Sequence, residues 1–98
     1  MNAEIKLRKE AESDLEEASA WYEGQALNLG QQFLDEVAAT LFRIRENPRL
    51  YPVVYRQVRR AVIHKFPFAV FYLIKNESLL VIAIIHASRA PSNWKQRI

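Results

Sequence analysis

The chain opens on a period of two. From Asn2 to Arg8, Ala3, Ile5 and Leu7 fall on one side and Glu4, Lys6 and Arg8 on the other, which is the alternation of a short, half-exposed strand. From Lys9 the period lengthens. Ala11, Leu15, Ala18 and Tyr22 recur at helical spacing with Glu10, Glu12, Glu16 and Glu17 opposite. This predicts an amphipathic helix with its early acids at the positive end of the dipole, ending near Gly24, where glycine suits a left-handed cap. Asn28 is placed to cap a second helix, with Gln31 completing a capping-box-like pair. Phe33, Leu34, Val37, Ala38, Leu41 and Ile44 mark its apolar stripe, and Asn47-Pro48 stops it, because the residue before proline is pushed out of helical geometry. Two helices joined by a few residues form an antiparallel hairpin whose apolar stripes need a third surface.

Three later segments supply that surface. Arg56 to Ile63, Phe66 to Ile74 and Leu79 to Ile85 are rich in Val, Ile, Phe and Tyr and read as strands, after a proline-restricted connector from Leu50 to Pro52. The polar run Lys75-Asn76-Glu77-Ser78 separates the last two, so they pair as a hairpin. Both are apolar on both faces, as central strands with cover on each side are. Pro91 to Ile98 is read as one short helical turn or a loose tail. The expected fold is α+β: one domain, residues 1–98, with a helical hairpin packed on a mostly antiparallel four-stranded sheet in the order β-α-α-β-β-β.

Composition narrows the function. The 98 residues are 50% hydrophobic and 26% charged, with 2 Gly, 4 Pro and no Cys, so disordered, collagen-like and disulfide-scaffold classes are excluded. Met1 is followed by polar residues, and the longest apolar stretch, Leu79 to Ile85, is far short of the roughly 20 residues a bilayer requires. A cytoplasmic protein without a membrane partner is expected. The net charge of +3 conceals an asymmetry: five Lys/Arg face ten Asp/Glu up to Pro48, a balance of −5, and nine face only Glu77 afterwards, a balance of +8. Either the second half meets an anionic partner, or the halves neutralise one another internally.

The spaced residues also resemble a known family. Ala11-x-x-Asp14-Leu15, Trp21-Tyr22 and Phe33-Leu34-x-x-Val37 are followed by Asn47-Pro48-x-x-Tyr51-Pro52 and by Arg59-Arg60-Ala61-Val62-Ile63-x-Lys65-Phe66-Pro67-Phe68-x-Val70-Phe71-Tyr72. The chain closes on Val81-x-Ala83-Ile84-Ile85-His86-x-x-Arg89-x-Pro91-x-x-Trp94-x-x-Arg97. Over nearly its whole length it resembles the ParE/RelE toxin superfamily, in its ParE-like, plasmid-stabilisation branch of type II toxin–antitoxin systems. The resemblance implies the same order of elements, no cofactor, and a growth-inhibiting toxin that binds DNA gyrase and is neutralised by a small antitoxin. The alternatives are a ribosome-dependent messenger RNA endonuclease of RelE type and a non-toxic antitoxin-binding protein. A homodimer or a toxin–antitoxin hetero-oligomer is compatible with each.

The chemistry available to the chain bears on that choice. Two glycines build no phosphate-cradling loop, His64 and His86 have no acids at ligand spacing for a metal, and no Ser-His-acid arrangement is readable. Metal-free RNA cleavage remains, needing a base, an acid and cations for the phosphorane. Arg60, Lys65, His86 and Arg89 are its candidates, rough matches to the lysine, arginine and C-terminal acid set of the RelE-like nucleases. Where that set ends in a general acid, this chain has Trp94, whose indole gives no proton near neutral pH, and the departure favours a binding toxin. For binding, the candidates are Arg59, Arg60, Arg89, Trp94 and Arg97, facing an antitoxin whose C-terminal segment is acidic and amphipathic. Arg59 and Arg60 alternate across a strand, so one faces each side, with pairing to an acid of the first helix as the structural alternative. Trp21 and Tyr22 are expected as core cover, and Phe71 and Tyr72 as core. For Trp94 two readings stand: packed back on the sheet, or presented to a partner.

Overall fold

The alternating start and the helical repeat that follows it meet with no intervening loop. The computed structural model describes residues 3–89 and 91–98; Asn2, where the alternation begins, lies outside the described residues. The first strand, β1, is Glu4–Leu7 and the first helix, α1, is Lys9–Gln25. Arg8 joins them in extended conformation, donating its N–H to Val81 and accepting from Glu12. The second helix, α2, is Leu29–Glu46, and β2 (Val53–Tyr55), β3 (Val58–Val62), β4 (Phe68–Lys75) and β5 (Ser78–His86) follow. Two single 3-10 turns, Pro91–Asn93 and Lys95–Arg97, close the chain. Among the described residues no helix is long and apolar enough to cross a membrane.

The α+β class and the order of elements agree with expectation, but the sheet has five strands, ordered β1-β5-β4-β3-β2. The extra strand, Val53–Tyr55, lies between the expected connector, Leu50 to Pro52, and the strand expected from Arg56, in residues given no element. Arg56, at a positive φ of 51°, turns the chain there, so Val53–Tyr55 pairs antiparallel with Val58 and Arg59. β1 runs parallel to β5, and the remaining pairs are antiparallel. The hairpin at Lys75–Ser78 forms as expected.

Each face of the sheet has its own core. The α1 residues Ala11 and Ala18, the α2 residues Phe33, Val37 and Ile44, and the sheet residues Val70, Tyr72, Leu79, Val81 and Ile84 pack as one cluster. Val58, Ala69, Phe71, Leu73, Ile82 and Ala83 form a second cluster on the face without helices. The register shift opposite Phe71 and Tyr72 turns both Ile82 and Ala83 to that second face, the effect of one extra residue in a strand. Phe71 and Tyr72 are core, as expected, and Tyr22 packs edge-on to Phe66. Trp21 is not core cover: it is 61% exposed.

The helix hairpin departs from its expected caps. Gly24 lies inside α1 without a positive φ. Asn28 itself takes the left-handed conformation, with φ 73°, and makes no side-chain cap, while Gln31 bonds to Asp35 instead. The start of α2 is capped from α1: the Glu23 carboxylate accepts from the N–H of Asn28 and of Gly30, both at 2.9 Å. A carboxylate on two free N–H groups at a helix start satisfies both orphan donors and the dipole. This crossing is close, for a Cβ on Gly30 would lie 2.5 Å from the Ser19 carbonyl oxygen. Gly30→Ala should therefore destabilise the domain by about 1–3 kcal/mol despite alanine's better helix propensity, read as a lower urea midpoint.

Candidate functional site

The functional candidates divide among three places. Arg59 and Arg60 alternate across β3 as expected. Arg59 lies opposite Tyr72 on the helix side, and Arg60 lies opposite Phe71 on the other. Neither forms an ion pair with α1 among the described residues. Arg59 instead donates to the carbonyls of Arg49 and Tyr51, at 3.1 and 2.7 Å. It thereby braces the connector between α2 and β2, which the buried Tyr72 hydroxyl also holds by donating to Pro48 O at 2.6 Å. With Arg49 and Arg56, Arg59 lines a cleft of about 360 Å³ that has no acid in its wall. Lys65 lies apart, at a positive φ of 72°, largely exposed and 3.7 Å from Glu36 of α2.

The third place is a cleft of about 440 Å³ between α1 and the end of β5. Asp14, Glu17, Ala18 and Trp21 form one wall, and Phe68, Ile84, Ile85, His86 and Arg89 the other, with Arg97 between them. Asp14 organises it. Its carboxylate accepts from the Ile84 N–H at 3.0 Å and from both terminal nitrogens of Arg97, at 2.7 and 3.3 Å. Arg97 also donates to Ile82 O at 3.1 Å. The two side chains are only 19% (Arg97) and 11% (Asp14) exposed, so the attraction is little screened. His86 ends β5 beside Phe68, ring centroids 5.9 Å apart, and its Nδ1 accepts from Ser88 N at 3.2 Å. Arg89 is exposed at the rim.

The tail decides between the two readings of Trp94: the indole packs back on the sheet, while Arg97 turns into the α1 cleft. Trp94 is 1% exposed. It packs against Phe71 at 4.8 Å and edge-on to Tyr55 at 5.8 Å, completing the cluster on the helix-free face. The indole therefore offers almost no exposed surface. A sheet apolar on both faces needs a cover on the side the helices leave bare, and the indole of the tail supplies it. Asp14 was among the residues of the family resemblance but not among the site candidates. The signal for it was an acid on the flank of an apolar helical stripe, between Ala11 and Ala18.

Comparison with known proteins agrees with this architecture. A family model described as the ParE toxin of the type II toxin–antitoxin system parDE matches residues 5–91. The chain belongs to the ParE toxin family. Among solved structures, a chain described as "Chromosomal ParDE TA system from P. aeruginosa" is similar in fold, with a TM-score of 0.63 at 17% identity. The match covers 86% of this chain and 95% of that one. No curated protein sequence matches. Within this ParE chain the nuclease candidates Arg60, Lys65 and His86 lie on the helix-free face, on the loop after β3 and at the α1 cleft respectively. Only His86 and Arg89 share a wall.

Two outcomes follow. Trp94→Ala should cost about 3–5 kcal/mol, as large aromatic truncations in a core do, so thermal unfolding of that variant falls well below the parent. Tyr72 gives a pH dependence. Burial pushes its phenol up from 10.0 to about 12, with Tyr51 adding to the rise and Arg59 opposing it. In the unfolded chain the same phenol ionises near 10, so its contribution is complete below that pH and is lost as pH climbs toward 12. By urea unfolding, Tyr72→Phe should be less stable at neutral pH by about 1–2 kcal/mol for the lost hydrogen bond, and its stability should decline less steeply across that alkaline window.

Proposed function

We propose that this ParE-family protein arrests growth by binding rather than by chemistry, with DNA gyrase as the family-implied target, and that a cognate antitoxin neutralises it. The observation supporting binding is the dispersal of the catalytic candidates. General acid–base cleavage needs its proton-transfer group and cations within hydrogen-bond reach of one phosphate. Here Lys65 is beside Glu36, Arg60 is on the opposite face of the sheet from the helices, and the position of a C-terminal acid holds a buried indole.

The antitoxin reading rests on charge. Lys65 and Arg97 are the second-half cations that pair with first-half acids among the described ion pairs, which leaves the Arg49–Arg56–Arg59 cleft and Arg89 for an acidic, amphipathic segment. Such a segment folds on binding and combines apolar anchors with charge contacts. Its affinity falls with salt only in part, since the apolar share is unscreened.

Induced expression in cells, with and without the neighbouring small reading frame, tests the reading when DNA damage response and translation are both followed. Arrest with a DNA damage response is expected, and His86→Ala should retain it. Loss of activity by about 10²–10⁴-fold in a folded His86→Ala variant, as removal of an acid–base group produces, together with messenger cleavage on translating ribosomes, would reverse the assignment.

A further inference from the structure

The edge of β5 is only partly paired. Ala87 N donates to Pro67 O at 2.9 Å, and antiparallel alternation then gives Ile85 and Ala83 the hydrogen-bonded positions facing β4. The backbone groups of Ile84 and His86 therefore point to the other side, where β1 lies further back. β1 reaches only to Leu7 opposite Val81, and Arg8 N donates to Val81 O before the chain enters α1. Beyond that point side chains serve the edge: Asp14 accepts from Ile84 N, and Arg97 donates to Ile82 O. The carbonyl of His86 accepts from Arg89 N in the following turn. Two groups remain without a hydrogen-bond partner among the described residues, the Ile84 carbonyl and the His86 N–H, at the wall of the 440 Å³ cleft.

Resting on the toxin–antitoxin reading, we infer that an extended segment of the antitoxin adds to β5 at this edge, parallel to it and in line with β1. In a parallel ladder one residue bonds to the carbonyl and the N–H of residues two apart on its neighbour. A single residue opposite Ile85 thus satisfies both open groups. Antiparallel pairing at Ile84 would need its N–H, which Asp14 already holds. Alternation turns the residues flanking that position toward α1, into the space walled by Ala18, Trp21 and Phe68. The exposed Trp21 indole offers apolar surface there that nothing in the chain covers, and Arg89 has no ion-pair partner among the described residues. The segment is therefore extended, apolar where it meets Trp21 and acidic where it passes Arg89. Unpaired strand edges take up peptide strands in this way, with backbone bonds giving affinity and side pockets specificity.

Amide hydrogen exchange, followed by NMR on the protein alone and co-purified with the antitoxin encoded beside it, tests the inference. In the free protein His86 N–H should exchange about 100-fold faster than the Ile85 and Ala83 N–H groups held by β4, and in the complex it should slow by about as much. Trp21→Ala and Arg89→Ala, both at exposed positions, should each weaken the complex about tenfold, with His64→Ala, outside the cleft, leaving it unchanged. A complex that forms while His86 exchange stays fast overturns strand addition and leaves the toxin–antitoxin reading standing. Failure to form any complex overturns that reading and this inference with it. Protection of His86 that rises with protein concentration in the absence of antitoxin assigns the edge to a second copy of the chain and overturns the proposal.

Discussion

The carboxylate of Asp14 holds together three parts of the chain that are far apart in sequence. It sits on α1, caps the N–H of Ile84 on β5, and takes two hydrogen bonds from Arg97 in the tail. Removing one partner of a mostly buried, hydrogen-bonded pair costs about 3–5 kcal/mol, a large part of the roughly 5–15 kcal/mol that stabilises a small domain. The dependence spreads further, because Trp94 lies three residues before Arg97 and its seat on the helix-free face is held at that end by the same contact. A single acid therefore fixes how α1 lies on the sheet edge and where the tail returns.

That arrangement answers the difficulty of a sheet apolar on both faces in a chain of 98 residues. Two helices cover one face, which leaves the other to the tail. An indole suits this role, since aromatic side chains bury the largest areas, about 150–250 Å² each. On the same face Trp94 serves packing and Arg60 lies opposite Phe71, an arrangement that supports the binding reading proposed above.

Charge is partitioned in the same way as structure. Most of the acids lie on the two helices and most of the cations on the sheet, its loops and the tail. Among the described residues only Lys65–Glu36 and Arg97–Asp14 join an acid of the first half to a cation of the second. Arg49, Arg56, Arg59, Lys75 and Arg89 line clefts at the ends and edges of the sheet, the surfaces that suit the acidic partner proposed above.

The residues by themselves determined the elements and their order. Period two at Ile5 and Leu7, the stripes Ala11–Tyr22 and Phe33–Ile44, and the apolar runs around Val70 and Ile82 depend on burial of one face or two, which a linear pattern records directly. The strand Val53–Tyr55 was not legible, because a left-handed turn at Arg56 carries no glycine or asparagine to announce it. Neither was the cap at Asn28, since the carboxylate that replaces it comes from Glu23 on the preceding helix. Only the tertiary structure decided the fate of the tail and the site. Whether Trp94 is core or contact depends on the bare face of the sheet, which it meets at Phe71 and at Tyr55, residues remote from it in sequence. The hydrogen-bonding state of Ile84 and His86 depends on where β1 stops alongside β5. Those are distances between residues remote in sequence, and no local periodicity encodes them.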